Sequence, residues 1–418
     1  MVSLLKESRR LFLKINLNLS KFNTIRKLSF SASSRFIEEA LEQCKNNNID
    51  LVPYRIRGYV LGNRFSKAIV DMVQYLEDRD GCVRDPSSVT EEEKENESVF
   101  TSSLQFSSLY KKGFDSIQRK NKSNRDPQFI SDDIMQFPIQ SFIWGFLIDK
   151  EYHEQCLRSV LKTSNERKIT VLLANHLLSR LITTSPGHTC TYCITDDHWK
   201  QYELCPCDEQ CGDKIWYGNS GIGTELLWYG KPDIMLFPLG ENCSIVIPKE
   251  KNLENLLENE DQQVNTDIKK ELPSLREHSN VSEFVAQAIT FSFYQKRFQL
   301  LKPYYYKPRV TLIPTIAISD KCFDVYMYDT DNDILLRNEG DPIPLWNNVQ
   351  NSSEATLNMG SVLQLWMLIN HLSIQPDLSQ SELEKFSGTC GFSTSLTYEH
   401  LNKIETQVNM RSKFIDHN

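Results

Sequence analysis

The feature that most constrains the fold of this chain is a cysteine-rich segment. Five of the eleven cysteines lie between Cys190 and Cys211. Cys190-x-x-Cys193 has the spacing at which two thiolates reach one tetrahedral ion. A second pair, drawn from Cys205, Cys207 and Cys211, would complete four ligands. Because the segment has too few apolar residues to fold by burial, the pattern predicts a structural Zn²⁺, with the ligand set left open.

The composition of the chain bounds its class. With 418 residues, 40% of them hydrophobic, the chain is long enough to bury a substantial core. It has no run of about 18 consecutive apolar residues, so the sequence predicts no membrane-spanning helix. The formal net charge is -8, so any contact with nucleic acid has to come from a local basic patch.

The first 35 residues differ in composition from the rest. They contain eight Lys or Arg residues and one acid, Glu7, and several apolar side chains fall on one helical face. A basic, serine-rich, acid-poor amphipathic segment is typical of a mitochondrial transit peptide. Residues 1–35 therefore predict a location in the mitochondrial matrix. The alternative is a basic helix of a nuclear or cytoplasmic protein.

The remaining residues divide by composition into three parts. Apolar residues at helical spacing predict a small helical region over residues 36–82. Residues 83–132 are rich in Ser, Glu, Lys and Asn, which predicts a flexible polar linker with one helical turn. Residues 133–418 are predicted to form an α/β domain. The cysteine-rich insert 188–215 and a charged insertion at 249–280 interrupt it.

Hydrophobic periodicity supplies the elements of that domain. Helices are predicted over residues 151–161, 166–182, 282–297 and 361–372. Strands are predicted over residues 226–237, 244–247, 310–318, 323–328 and 334–336. The polar run 329–333 is predicted to be the turn of a hairpin. Strands with intervening helices predict an α/β core built on a central sheet.

Polar residues around these strands point to phosphodiester chemistry, which uses a divalent ion held by carboxylates and a lysine near the attacking water. Asp233 stands where strand 226–237 opens. Glu225 precedes it by eight positions, on the same face if one strand runs unbroken. Lys249 follows the next strand, and Gln287 lies on the helix after it. This order predicts a metal-dependent nuclease site.

The series resembles the PD-(D/E)XK, or restriction-endonuclease-like, superfamily, and within it the RecB-type nuclease branch. The matching positions are His176, Glu225, Gly230 with Asp233, Lys249, and Gln287 with Phe291 in place of the usual Tyr. The resemblance covers residues 166–330. It implies a mixed central sheet flanked by helices, Mg²⁺ or Mn²⁺ as cofactor, and hydrolysis of phosphodiester bonds in DNA.

The resemblance also implies roles for these residues. Asp233, Glu225 and His176 would hold the metal, Lys249 would stand near the nucleophile, and Gln287 would position water or phosphate. One motif is incomplete, because Ile247 replaces the acid that the family has two residues before the lysine.

Three interpretations of this departure stay open. An acid at Glu283, on the same helical face as Gln287, can take the missing place. The alignment can shift to Glu250 and Lys251. Finally, the site can be inactive, in which case the chain is a nuclease-fold protein that acts as a nucleic-acid-binding or scaffold module.

Basic and aromatic residues gather after the glutamine helix. Those with the chemistry for nucleic-acid contact are Lys296, Arg297, Tyr304, Tyr305 and Lys307. Rings offer stacking faces to bases and cations bind phosphates, a combination used on single-stranded nucleic acid. The structural alternative is a tyrosine-rich edge leading into the next strand.

Overall fold

A computed structural model describes most of the chain. The described residues are 35–46, 49–78, 83–84, 99–122, 136–183, 191–195, 203–237, 245–247, 278–301, 309–349 and 352–410. The predicted transit peptide, apart from residue 35, and most of the charged insertion lie outside these ranges. No described helix has both the length and the apolar composition needed to cross a lipid bilayer.

Helices and strands form separate blocks along the described part of the chain. The helices are α1 (35–46), α2 (Phe106–Leu109), α3 (Lys111–Lys122), α4 (Gln136–Phe142), α5 (Lys150–Leu157), α6 (Glu166–Leu172), α7 (Ser179–Leu181), α8 (His278–Leu301), α9 (Met359–Ile369), α10 (Gln380–Phe386), α11 (Phe392–Ser395) and α12 (Tyr398–Gln407). Two π-helical segments follow α4 and α6, at Ile143–Leu147 and Leu173–Leu178.

The strands of the N-terminal half are β1 (Asp50–Val60), β2 (Asn63–Arg64), β3 (Ile69–Gln74), β4 (Leu76–Asp78), β5 (Val83–Arg84), β6 (Val99–Thr101), β7 (Leu104–Gln105) and β8 (Tyr192–Thr195). Those that follow are β9 (Tyr217–Gly218), β10 (Ile222–Gly223), β11 (Trp228–Gly230), β12 (Ile234–Leu236), β13 (Ile245–Ile247), β14 (Leu312–Ile318), β15 (Cys322–Asp329), β16 (Ile334–Asn338), β17 (Ile343–Pro344), β18 (Trp346–Asn347), β19 (Thr356–Leu357) and β20 (Asn409–Met410).

The largest sheet is antiparallel and curls around α8. Its order is β14-β15-β16-β1-β3, with β17 beside β15 and β7 beside β1. Helix α8 contacts β3, β14 and β15 and is buried along almost its whole length, with Phe284, Ile289 and Phe293 at 2% exposure or less. Its apolar side chains recur on all sides, and polar ones such as Gln287 are buried with them, so the helix lies inside the core. The predicted α/β class is confirmed, whereas the largest sheet is antiparallel and not the mixed central sheet that the resemblance implied.

The hairpin of β15 and β16 follows its sequence prediction. Tyr328 pairs with Leu335, and the polar run between the strands forms the turn. Asp329 stabilises this turn because its Oδ1 accepts hydrogen bonds from the backbone N–H groups of Asp331 (2.9 Å) and Asn332 (3.0 Å).

A buried ion pair crosses the curled sheet. Arg337 donates to Asp324 at 3.0 Å, with 9% of the arginine side chain exposed and none of the aspartate side chain. The guanidinium also lies 5.2 Å from the ring centroid of Tyr326. Each of these buried charges stabilises the other. Without its partner, the remaining charge would be desolvated with no compensating interaction.

The prediction of a helical region over residues 36–82 is wrong beyond α1. β1 and β3 are central and edge strands of the curled sheet. Ile69, Val70 and Val73 fit helical and extended spacing equally, and β-branched side chains favour a pleated surface once neighbouring strands are present. The N-terminal region is therefore part of the main core.

The prediction of a flexible linker over residues 83–132 is wrong for residues 99–122, although the one helical turn predicted within it is present as α2. β7 pairs with β1, and Phe106 and Tyr110 are fully buried in the core and stack at 4.5 Å. A few well-spaced aromatic residues are enough to anchor a segment that is polar on average.

The predicted strand 226–237 is broken in two. β11 belongs to the sheet β2-β11-β10-β20, whereas β12 belongs to the sheet β13-β12-β8-β9. Pro232 lies between them, and its missing N–H prevents continuous pairing. Glu225 and Asp233 therefore do not share one strand, and the condition for a common strand face is not met.

Candidate metal centre

Four side chains converge on one point beside α6. The imidazole of His176 and the thiols of Cys205, Cys207 and Cys211 place one ligand atom each within 4.8 Å of one another. Tetrahedral zinc with Zn–S bonds of about 2.3 Å holds its sulfurs about 3.8 Å apart. The cluster thus has the size and chemistry to bind a metal such as zinc. Among the described residues it is the one group of three or more His, Cys, Asp or Glu side chains that can hold an ion.

The three thiols come from one tight loop. At its base, Cys205 N–H donates to the Asp213 carbonyl at 2.8 Å and Ile215 N–H donates to the Glu203 carbonyl at 2.9 Å. At its tip, Gln210 takes a left-handed conformation (φ 49°) and its N–H donates to the Cys207 carbonyl at 3.1 Å. Backbone hydrogen bonds therefore close the loop, while Cys205, Cys207 and Ile215 are buried against the hydrophobic core.

Backbone N–H groups point at two of the sulfurs. Cys211 N–H lies 3.3 Å from Cys207 Sγ, and Asp213 N–H lies 3.4 Å from Cys211 Sγ. Donors aimed at a sulfur favour its charged, thiolate form. The loop is thus arranged for thiolates, which are the form that binds a metal.

Burial, by contrast, favours the neutral thiol form of these cysteines. It raises the pKa of the Cys205 thiol to about 11 and raises the pKa of the Cys211 thiol as well. A cation among the sulfurs reverses this preference, because a coordinating thiol is deprotonated outright. The same centre therefore favours neutral thiols without a metal and thiolates with one.

The fourth member of the cluster is supplied by a π-helical segment. His176 is fully buried, and its Nε2 lies 3.2 Å from Cys205 Sγ. The widened turn leaves the Asn175 carbonyl to accept from Ser179 Oγ at 2.7 Å and from Arg180 Nε at 3.0 Å. Such segments are frequent at functional sites, since they re-aim one side chain of a helix.

A second histidine orients the first. His153 Nδ1, on α5, lies 3.3 Å from His176 Nδ1. Burial lowers the pKa of both imidazoles to about 4, so both are neutral at physiological pH. If His176 Nε2 binds a metal, its Nδ1 carries the hydrogen atom. The Nδ1–H group then donates a hydrogen bond to His153 Nδ1. A ligand histidine usually has such an outer partner, which fixes its tautomer.

A polar network extends outward from the centre. Asn175 Nδ2 donates to Asp213 Oδ2 at 3.1 Å, and Arg180 binds the same carboxylate at 2.8 Å. Lys168 pairs with Asp208 at 3.4 Å on the cysteine loop. These contacts attach the loop to helices α6 and α7.

The predicted metal ligands are corrected at two positions, one from the zinc set and one from the magnesium set. Cys193 lies in β8, where it packs with Met235 and Phe237 in a separate small cluster and takes no part in the centre. His176, expected at a magnesium site with carboxylates, lies among thiols instead. Cys190 lies outside the described residues. The sequence spacing favoured Cys190 and Cys193 as one pair of ligands. Which sulfurs lie close together depends, however, on how the chain between the cysteines folds.

The predicted carboxylate site is spread over several elements. Glu225 is exposed in the turn before β11, and the Asp233 carbonyl accepts from Thr195 N–H at 2.9 Å. Glu283 accepts a hydrogen bond from Gln287 Nε2 at 3.3 Å. Within the described residues these three acids do not form a group that can hold an ion together. Lys249 lies outside those residues, so the magnesium site stays a prediction.

The described part of the predicted basic patch is engaged inside the protein. Lys296 pairs with Asp331 at 3.1 Å and with Glu405 at 2.5 Å, and Arg297 donates to the Val408 carbonyl at 2.6 Å. These cations link α8 to the C-terminal helices and do not present a free basic surface. Tyr304, Tyr305 and Lys307 lie outside the described residues.

Two neighbours of the centre were missed from the sequence. His153 and Cys156 lie three residues apart on α5, so both face one direction. That His-x-x-Cys spacing, at a helical period, was the signal that could have found them. Without the fold, nothing in the sequence connects α5 to a loop some fifty residues later.

We predict that His153→Phe weakens zinc binding about 10- to 100-fold, because it removes the acceptor that orients His176. His153→Asn should recover most of that affinity, since its amide oxygen can accept the same proton. Competition with a chelator of known affinity measures both. His400, which contacts the Leu226 carbonyl at 3.0 Å, gives the control variant His400→Phe. Equal affinity in wild type and His153→Phe would contradict the role.

Comparisons of the chain with protein-family models, with curated proteins and with solved structures gave no match. Function has to be inferred from the chemistry of the described side chains. Among the described residues, the side chains that could act together as metal ligands are those of His176, Cys205, Cys207 and Cys211.

Proposed function

We propose that this protein is a zinc-binding module in which the ion has a structural role. The observation that carries the proposal is the convergence of three thiols and one imidazole within 4.8 Å. Three sulfurs and one nitrogen fill the four positions of tetrahedral zinc, so no position stays open for substrate. A closed site of this kind stabilises a fold and does not activate water.

The ion would join the cysteine loop directly to the helical segment that carries His176. Arg167 and Glu203 form a pair at 3.0 Å with about half of each side chain exposed, and such pairs contribute little. Leu204, on the same loop, is 62% exposed. Because these exposed contacts contribute little, a metal would add to the stability that the loop gains from burying Cys205, Cys207 and Ile215.

Metal analysis of the purified full chain tests this proposal. We expect one zinc per chain by inductively coupled plasma mass spectrometry. X-ray absorption should give three sulfur neighbours at about 2.3 Å and one nitrogen at about 2.0 Å. A chain that carries no metal after purification, and binds none when zinc is added under reducing conditions, would refute it.

We further propose that this module is built on a restriction-endonuclease-like core. β12 and β13 are antiparallel, α8 follows them in the chain, and β14 lies against β13. This succession is what the PD-(D/E)XK resemblance implies for the strands near Asp233 and Lys249 and the helix with Gln287. The separation of Glu225, Asp233 and Glu283 favours a non-catalytic role, and the ion pairs of Lys296 favour a scaffold over a nucleic-acid-binding module.

A metal-dependent deoxyribonuclease is the second candidate. Gln287 is 2% exposed, and its Oε1 has no hydrogen-bond partner among the described residues, although its amide contacts Glu283. A buried polar atom without a partner carries a cost that a functional group in an active site would explain. In this candidate Asp233, with Glu225 or Glu283, holds Mg²⁺ or Mn²⁺.

Labelled single- and double-stranded DNA separates the two candidates. The full chain is incubated with each DNA in Mg²⁺ or Mn²⁺, and cleavage and binding are measured in parallel. Cleavage that is lost in Asp233→Ala but kept in Asp341→Ala, an exposed carboxylate used as control, supports the nuclease. Binding without cleavage supports the nucleic-acid-binding module. Absence of both contradicts a nucleic-acid partner and leaves the scaffold role.

A further inference from the structure

A cavity of about 430 Å³ lies beside the metal centre. It is enclosed by the π-helical segment Ile143–Leu147, helix α7, β8 and the end of the cysteine loop. None of its lining residues belongs to the four that form the metal cluster. Ligand cavities in proteins commonly have volumes of about 300–1,000 Å³, so this one has the size for a small molecule.

The cavity presents cationic donors. Arg180 Nε donates to the Asn175 carbonyl at 3.0 Å, and Arg180 Nη2 donates to Asp213 Oδ2 at 2.8 Å. A guanidinium has five N–H groups, and these hydrogen bonds within the described residues occupy two of them. Lys214 also lines the cavity, so its cations outnumber its carboxylate. The other N–H groups of Arg180 suit a negatively charged acceptor such as a carboxylate.

The same cavity presents acceptors next to these donors. The carboxylate of Asp213 accepts from Asn175 (3.1 Å) and from Arg180 (2.8 Å) through the same oxygen, Oδ2, so its Oδ1 can accept from a ligand. The hydroxyls of Ser141 and Ser179 donate to backbone carbonyls at 3.3 and 2.7 Å. Because a hydroxyl has one hydrogen to donate, both serines meet a ligand as acceptors.

Adjacent donors and acceptors fit a ligand with a carboxylate and an ammonium group on one carbon atom. The guanidinium of Arg180 and the carboxylate of Asp213 are in direct contact, so the two groups that they bind have to be neighbours as well. An α-amino acid meets this condition. Inorganic phosphate satisfies only the donors, and its charge would lie beside the carboxylate of Asp213.

The apolar part of the cavity is supplied by Trp216 and Ile182. Ile182 is buried, whereas Trp216 is 37% exposed although its carbonyl accepts from Ile194 N–H at 2.9 Å. An indole ring on a hydrogen-bonded backbone offers a fixed face on which a planar or apolar group can pack. The cavity therefore favours a ligand with an apolar or aromatic side chain.

We propose that this cavity binds a free α-amino acid with an apolar or aromatic side chain. Its carboxylate accepts from Arg180, its ammonium group donates to Asp213 Oδ1, and its side chain packs on Trp216. The inference goes beyond the structural zinc and does not depend on it, because the residues that bind the amino acid are not metal ligands.

Isothermal titration calorimetry of the purified full chain tests the proposal. The probes are L-phenylalanine, L-tryptophan and L-leucine. Phenethylamine lacks the carboxylate, 3-phenylpropanoate lacks the ammonium group, and inorganic phosphate supplies an anion alone. We expect at least one amino acid to bind at one site per chain. The analogues should bind about 10- to 100-fold more weakly, since each lacks a charge-assisted hydrogen bond.

Three results would overturn the proposal. None of the amino acids binds at millimolar concentration, 3-phenylpropanoate binds as tightly as L-phenylalanine, or phosphate binds in preference to all three amino acids. Zinc content is measured on the same sample. A chain that contains zinc and binds no amino acid contradicts this inference alone, and a chain that binds an amino acid without zinc contradicts the zinc proposal alone.

Variants locate the binding site. Arg180→Gln should weaken amino-acid binding about 10- to 100-fold, because it removes the charged donor. Trp216→Ala, at a partly exposed position, should weaken it about tenfold and serves if Arg180→Gln does not fold. The control is Arg167→Gln, which breaks the exposed pair with Glu203 outside the cavity and should bind as wild type. Wild-type affinity in folded Arg180→Gln or Trp216→Ala would show that the amino acid binds elsewhere.

Discussion

Cys205→Ser is expected to abolish zinc binding and to lower the free energy of unfolding by about 4 kcal/mol or more, which is the range reached when a structural metal is lost. Cys205 Sγ lies 3.2 Å from His176 Nε2, so this thiol links the loop to the helix. A serine hydroxyl has nearly the same shape but is a poor ligand for zinc at neutral pH. Metal analysis and urea denaturation of both proteins measure the two effects.

Cys193→Ser is the matched control for this prediction. Cys193 belongs to the same cysteine-rich segment and is equally buried, but it packs against Met235 and Phe237 away from the centre. We expect this variant to keep its zinc and to lose only the small packing contribution of one sulfur. Loss of zinc in Cys193→Ser, with retention in Cys205→Ser, would show that the ligand set is wrong.

The second large effect is expected from the ion pair in the curled sheet. Asp324→Asn keeps the shape of the side chain but leaves the charge of Arg337 buried without a partner. Breaking a buried pair in this way typically costs about 3–5 kcal/mol. Equilibrium denaturation followed by circular dichroism measures the loss, and zinc content should be unchanged if the variant folds.

Two further variants isolate the cause of that loss. Asp71→Asn breaks the pair of Asp71 with Arg57, in which nearly half of each side chain is exposed, and should cost about 0–1 kcal/mol. The double variant Asp324→Asn with Arg337→Met removes both buried charges and should recover much of the stability. If Asp324→Asn costs no more than Asp71→Asn, the buried charge is not what makes the pair important.

Several elements could be predicted because their signals are local. The spacing of Phe284, Ile289 and Phe293 requires a helix wherever the segment lies in the fold, and the observed helix α8 includes the whole predicted span. The alternation on either side of the Asp329 turn likewise requires a hairpin. In both cases the side chains that specify the element are the ones that the element buries.

The N-terminal strands could not be predicted in the same way. Ile69 to Val73 form a strand because β1 lies beside them, and β1 is held in turn by β16, nearly three hundred residues later in the chain. Short apolar runs are ambiguous between helix and strand when taken alone. Pairing across this distance decided their conformation.

At the metal centre, too, the kind of site could be predicted from the sequence, whereas the arrangement of its ligands could not. Thiols crowded into a segment without a core predicted a zinc site, because that inference needs only residue types and their density. The sequence by itself determined, in addition, the central helix, the hairpin and the α/β class. Only the fold shows that His176 joins Cys205, Cys207 and Cys211 while Cys193 does not, and that His153 contacts His176. The physical reason is that a metal selects ligands by their positions in space, which contacts between distant parts of the chain set.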